Sequence, residues 1–284
     1  MTNAQVPEPV RTIERIGERL ARLPGVTGVV LGGSRARGAA RPDSDLDIGL
    51  YYDPAAAPEF EQVLAAAAEL DDRGEPAGYG GYGEWGPWIN GGVWLRVDGL
   101  KTDILLRDHG RVERVVREAA AGSFTVDYQP GHPHGFVSTV YAGEVRHNLP
   151  LHDPEGRLAG LRALVDPYPA ALAEAVTGRF GWEAGFSLDG ALSPARRGDL
   201  HQVTGLLHRA VACLNQVVFA RNGRFLLNEK GALAEAAAMP RTPAGYRPRV
   251  EAALGGLSAE PEVLLAAVAA LRTVERELIG SGVQ

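Results

Sequence analysis

The feature that most constrains this chain is a spacing. An apolar run over residues 26–31 ends directly in Gly32-Gly33-Ser34, and after ten intervening residues a second run begins at Asp45-Leu46-Asp47-Ile48 and alternates through Tyr52. Alternation with period two predicts a half-buried strand, and the run before it predicts another. The two strands are expected to be joined by a glycine turn and a short helix.

On a strand, residues two apart share a face, so Asp45 and Asp47 point the same way while Leu46 and Ile48 turn into the core. Paired carboxylates suit Mg²⁺, which is held by one or two protein carboxylates together with substrate phosphates, and two such ions clamp an in-line phosphoryl displacement. Gly32-Gly33-Ser34, leaving one strand and opening a helix, offers unpaired backbone N–H groups and a hydroxyl to phosphate oxygens. Arg35 or Arg37 adds charge-assisted contacts. Farther on, Asp103 in Lys101-Thr102-Asp103-Ile104-Leu105-Leu106 is an acid opening an apolar strand, a costly position unless it is paired or metal-bound. It is the natural third ligand.

Taken together, Leu31-Gly32-Gly33-Ser34, the ten-residue interval, Asp45-Leu46-Asp47-Ile48 and a later strand Asp resemble the DNA polymerase beta type nucleotidyltransferase superfamily. The resemblance covers residues 31–103. It implies that Asp45 and Asp47 bind both metals, that Gly33 and Ser34 with Arg37 hold the triphosphate, and that Asp103 binds one metal and deprotonates the acceptor hydroxyl. The catalytic candidates and the metal ligands are thus the same three residues, with two Mg²⁺ ions and an NTP, ATP favoured, as the expected cofactor and substrate.

In the second half, the segment from Arg221 to Lys230, then Met239-Pro240 and Tyr246-Arg247-Pro248, resembles the antibiotic nucleotidyltransferases, above all the aminoglycoside adenylyltransferases. That likeness implies a small-molecule acceptor hydroxyl and a helical-domain lysine reaching the nucleotide phosphates. Lys230, expected just inside a helix capped by Asn228, stands at the corresponding position. An alternative from the same superfamily is nucleotidylation of a protein or of RNA, as in antitoxin-type relatives. A third reading is a silent protein whose acidic site only holds nucleotide; the intact Ser34, Asp45, Asp47 and Asp103 argue against it.

Around this constellation, helical spacing predicts a helix over 8–22 ended by Pro24-Gly25, an alanine-rich helix over 58–70, and strands over 93–97 and 100–106 joined by an Asp98-Gly99 turn. Helices follow over 111–120 and near Val140, Tyr141 and Val145. Beyond Asp153-Pro154 strand signals almost vanish, and 155–165, 168–186, 199–221, 229–238, 246–254 and 260–279 read as helices. The expected architecture is α+β, a small mixed sheet with flanking helices over residues 1–150, followed by an all-α helical bundle over residues 151–284 that closes on substrate and nucleotide.

Composition sets the boundaries. A formal charge of −6 without a long Lys/Arg run lacks the footprint of sequence-independent nucleic-acid binding and fits a small or cationic partner. The single cysteine, Cys213, excludes an intramolecular disulfide framework and suits a reducing cytoplasm. The N-terminus lacks a basic region followed by an apolar stretch, and no uninterrupted apolar run reaches membrane-spanning length, so a cytoplasmic location and no membrane partner are expected. The oligomeric state is open.

Several residues admit two readings. Trp85, Trp88 and Trp94 in and beside the Gly- and aromatic-rich stretch 78–92 either wall a binding site or pack a hairpin on the sheet. Glu183, among Phe180, Trp182 and Phe186, either faces the acceptor or accepts a core hydrogen bond; Glu144 is a weaker candidate for the same role. His132 and His134 flank Pro133 in a turn and read as structural, as do His201 and His208. Asp43 reads as a turn residue, with Ser44 capping the bend.

Overall fold

The computed structural model describes residues 9–38, 41 and 44–280. It divides into two compact units, one made of Met1–Glu118 and Phe124–Asp166, the other of Ala119–Ser123 and Pro167–Gln284.

The first unit is built on a six-stranded sheet. In chain order its elements are α1 (Pro9–Ala21), β1 (Val26–Leu31), α2 (Gly33–Ala36), β2 (Leu46–Tyr52), α3 (Phe60–Leu70), β3 (Gly78–Gly80), β4 (Gly92–Val97), β5 (Leu100–Asp108), α4 (His109–Ala120), β6 (Val126–Asp127), β7 (Phe136–Val137), α5 (Thr139–His147), β8 (Leu149–His152) and α6 (Arg157–Val165). The strand order is β3-β4-β5-β2-β1-β8, while β6 and β7 form a separate two-stranded ribbon. All pairings in the large sheet are antiparallel except β2 with β5. A parallel pair cannot be closed by a tight turn. Here α3, β3 and β4 occupy the crossover, and β4 returns into β5 through Asp98 and Gly99, whose φ of 49° and 79° supply the two positive values that a tight primed turn needs.

Alternation sorts the two faces. Leu46, Ile48 and Leu50 of β2 are fully buried against Ile16 and Leu20 of α1 and Val63 and Ala67 of α3. Helix α3 is held at its start by a reciprocal capping box between Glu59 and Gln62. The other face of β2 carries Asp47, Gly49 and Tyr51.

The sheet unit continues past residue 150. Strand β8 pairs with β1 through Leu149, Pro150 and His152, and α6 packs on α5, so the break falls after Asp166. Pro150 fits here because β8 is an edge strand, where a missing N–H leaves no ladder bond unmade.

The second unit contains α7 (Ala170–Arg196), α8 (Leu200–Arg221), α9 (Ala232–Ala237), α10 (Tyr246–Gly255) and α11 (Pro261–Gly280). Helices α7 and α8 pack on each other and on α11 around Phe180, Leu188, Leu207, Leu214 and Leu271. Helix α8 starts at Asp199, whose carboxylate accepts from the Gln202 N–H at 3.1 Å. It is long and apolar enough to cross a membrane by length and composition, but 67% of that stretch is buried within the protein. Helix α7 runs ten residues beyond the expected end at 186, with Pro194 accommodated in its last turn.

Lys230 requires a correction. It precedes α9 rather than lying inside a helix: Asn228 Oδ1 accepts from the Lys230 N–H at 2.8 Å to make a local turn, and Gly231, with φ 80°, is the residue before the helix. Asn228 therefore caps a turn, not α9. Pro42 and Asp43 lie outside the described residues, as does Glu8 at the expected start of the first helix; Ser44 accepts from the Arg41 N–H at 2.9 Å.

Candidate active site

The centre of the site is a register relationship. Strands β2 and β5 run side by side in parallel, with Asp47 directly beside Asp103. Neighbouring strands lie ~4.8 Å apart, so two carboxylates on the same face are held at a spacing set by the sheet rather than by loops. Asp45 stands two residues before Asp47, just outside β2. All three acids are half-buried.

The same cross-sheet row extends both ways. On one side Trp94 of β4 pairs with Asp103, and Gly78 of β3 pairs with Trp94. On the other, the Gly32 N–H donates to the Asp47 carbonyl at 2.7 Å, carrying the row into the turn after β1. Gly33 follows with φ +62°, and a Cβ placed on it would lie 1.7 Å from Asp47 Oδ2. The second glycine of the motif is thus required twice, by its backbone conformation and by the carboxylate pressed against it.

Electrostatics follow from the crowding. Burial, then the charges of Asp47 and Asp45, push the Asp103 carboxyl up to about 6, against smaller opposing contributions from Lys101 and a hydrogen bond from the Trp94 indole. Asp47 is also raised, by burial first and then by Asp45 and Glu144, with Arg37 and Arg35 pulling the other way. These are carboxylates short of positive charge. Among the described residues, no three His, Cys, Asp or Glu side chains converge closely enough to hold an ion by themselves. An all-oxygen donor set completed by substrate is nevertheless the kind that Mg²⁺ accepts.

Around the acids, Ser34 sits half-buried in α2. Arg35 ties the following loop down by donating to the Ser44 carbonyl at 2.7 Å. Arg37 is exposed and donates to the Gly33 carbonyl at 3.3 Å. Gly33, Ser34, Arg37, Asp45, Asp47 and Asp103 are therefore brought together in the sheet unit; Lys230 belongs to the helical unit, where it is exposed.

The residues with two readings also resolve locally. Glu144 is gripped by Arg107 of β5 through two hydrogen bonds of 2.9 Å, and the buried Arg107 guanidinium lies 5.3 Å from the Tyr141 ring centre. Glu183 receives Arg209 at 2.6 Å and Arg179 at 3.7 Å, which gives it a role inside the helical unit. His132 stands edge-on to Phe136. Trp88 stacks on Phe136, and its carbonyl accepts from the Tyr141 hydroxyl, so this tryptophan is packing. Trp85 and Trp94 stack on each other with centres 4.6 Å apart, and Trp94 remains 44% exposed. The tie between Trp94 and Asp103 was not anticipated from the sequence; the tryptophan's place two residues into a strand that hairpins onto the Asp103 strand was the signal that would have located it.

Comparison with known proteins agrees with this geometry. Residues 13–77, from within α1 to the residue before β3, match the nucleotidyltransferase domain family. Over that segment, less than a quarter of the chain, the match supports a transferase that moves a nucleoside monophosphate. The matched segment contains Gly33, Ser34, Asp45 and Asp47 and ends before Asp103. Among solved structures, the chain is similar to a nucleotidyltransferase-like protein from Exiguobacterium sibiricum 255-15, at 13% identity and a TM-score of 0.46 over 96% of this chain and 75% of that one. No curated protein sequence matches the chain significantly.

Proposed function

We propose that this protein transfers a nucleoside monophosphate from an NTP, with ATP favoured, to a hydroxyl of a small-molecule acceptor of the aminoglycoside-like antibiotic class, using Mg²⁺ held by Asp45, Asp47 and Asp103. The observation that carries the reading is the in-register pair Asp47 and Asp103 on parallel strands, with Asp45 on the same face and a glycine turn against Asp47.

Bound Mg²⁺ would neutralise the carboxylates and the developing phosphate charge, which is the chemistry the three acids alone cannot supply. The chain's own residues do the rest. Gly33 lets the turn close onto Asp47, so that Ser34 and Arg37 face the polyphosphate. The acceptor oxygen attacks the α phosphorus, the bond to the bridging oxygen breaks, and pyrophosphate leaves with the electron pair. Asp103, on the acceptor side of the acids, accepts the hydroxyl proton. Lys230 is proposed to contact the phosphates on the strength of the family resemblance. The acidic chain supports a cationic acceptor over nucleic acid.

The test is pyrophosphate release from ATP and GTP with Mg²⁺ against an antibiotic panel, comparing the native protein with Asp45→Asn and Asp103→Asn. Acceptor-dependent release lost in both variants supports the assignment. Release surviving both substitutions overturns it, and a mass increase on protein or RNA instead of the panel compounds moves the acceptor to a macromolecule.

A further inference from the structure

The glycine- and aromatic-rich stretch builds a flat surface beside the acids. Gly80 of β3 and Gly92 of β4 are register partners, and a Cβ on Gly80 would fall 2.1 Å from Trp85 Nε1, while one on Gly92 would fall 3.0 Å from the Trp85 ring. A Cβ on Gly78 would meet the Trp94 ring at 3.0 Å. The missing side chains are what let both indoles lie down on the backbone of β3 and β4. The backbone of Trp85 is further fixed, because its amide N–H donates to the Asn90 carbonyl at 3.0 Å and its carbonyl accepts from the Gln129 side-chain amide at 2.7 Å. The two rings stack at an interplanar angle of 18°. One of them, Trp94, is the cross-strand partner of Asp103 and keeps nearly half its surface open.

Trp94 thus presents an open indole face beside Asp103, on which something of matching shape can stack. Its position in the row says what. From one edge inward the order is Gly78, Trp94, Asp103, Asp47 and then the Gly32-Gly33 turn. In an in-line displacement the nucleophile and the leaving group lie on opposite sides of the phosphorus. With the leaving pyrophosphate toward Gly33 and Ser34, the attacking hydroxyl comes from the Asp103 side, which is the side Trp94 occupies.

We infer that the Trp85–Trp94 stack is the acceptor platform: a ring-shaped, hydroxyl-bearing molecule lies with its C–H face on Trp94 and presents its hydroxyl toward Asp103. This rests on the proposed transfer reaction for the direction of approach. A saturated ring carrying hydroxyls on its rim and hydrogens on its faces suits an indole surface, and positive charge on that ring adds attraction to the π face.

Binding is measured apart from catalysis by ligand-observed saturation-transfer NMR on the full chain with Mg²⁺ and a non-transferable α,β-methylene ATP. The probes are kanamycin and streptomycin as cationic rings, and glucose and inositol as neutral ones. The native protein should transfer saturation to the ring protons of at least one probe. Trp94→Ala should lose about tenfold in affinity for it, and Trp94→Phe, which keeps a ring, should retain most of it. Unchanged melting of the variants checks that they fold, and 5-fluorotryptophan labelling of the unsubstituted protein reads the same contact as a shift of the Trp94 resonance. No saturation transfer to any probe, or equal transfer to native and Trp94→Ala, overturns the platform. Probe binding by the native protein without any pyrophosphate release from ATP and that probe would instead fault the transfer reaction.

Discussion

Gly33 and Asp47 share one space: with φ +62° at the glycine and its missing Cβ pointing 1.7 Å from the carboxylate oxygen, the turn and the acid exclude any side chain between them. Gly33→Ala should therefore cost more than a strained backbone. The conformation alone is worth about 1–2 kcal/mol, and displacing Asp47 by an ångström should lower the transfer rate roughly 100-fold. Gly38→Ala, with φ +67° but open space around it, is the control that carries only the backbone cost. Melting and pyrophosphate-release assays on both variants check the separation.

Asp103 should make the metal-free protein sensitive to pH. Its carboxyl is pushed up to about 6 in the folded protein, above its unfolded value near ~3.9. A raised acid contributes stability that is fully present below the unfolded value and is lost as pH rises through the folded one. Native protein in chelator should lose stability between pH ~4 and ~6 and then level off. Asp103→Asn should match it near pH 4 and exceed it above pH 6.5, by on the order of 1 kcal/mol once solvent screening of this half-exposed group is discounted. Melting curves across that range decide it, and a difference that grows toward low pH would reverse the sign.

The Arg107–Glu144 pair should respond asymmetrically to substitution. Arg107 is buried and Glu144 partly open. Glu144→Ala leaves a buried cation without its partner and should cost about 3 kcal/mol or more, whereas Arg107→Met removes the cation and should cost clearly less. Chemical denaturation of the two variants measures the order.

At the sheet edge, Gly80→Ala should push Trp85 off the backbone and weaken its stack on Trp94, lowering the melting temperature and the exciton signal of the paired indoles in circular dichroism. Gly178→Ala, in the interior of α7 with nothing near its Cβ, should leave that signal alone and stabilise by about 0.5–1 kcal/mol.

Much of this was legible in the residues. Alternation along Asp45 to Tyr52 placed both acids on one face, and Asp98-Gly99 announced the β4–β5 hairpin, because both patterns are local. What pairs with what was less visible. Nothing near Asp103 says that its strand lies parallel to β2 in register with Asp47, since that contact is fixed by a crossover running over residues 53–99. Two strands of the large sheet also escaped notice for physical reasons: Gly78-Tyr79-Gly80 is mostly glycine because it underlies two indoles, and Leu149-Pro150-Leu151-His152 contains a proline that only an edge strand tolerates. Lys230 was misplaced because Asn228 makes equally good chemistry as a turn residue and as a helix cap. Glu183 and Glu144, ambiguous in sequence, are explained by arginines that are distant in the chain.

The parallel pairing of β2 with β5 also has a consequence in time. A hairpin closes within a few residues, but Asp47 cannot reach Asp103 until α3, β3 and β4 have been laid down between them, and such non-local contacts form late in folding. The two carboxylates thus meet only when the sheet is nearly finished, so during refolding the capacity to bind Mg²⁺ and nucleotide should emerge after the hairpin and helices, as the last signal to recover.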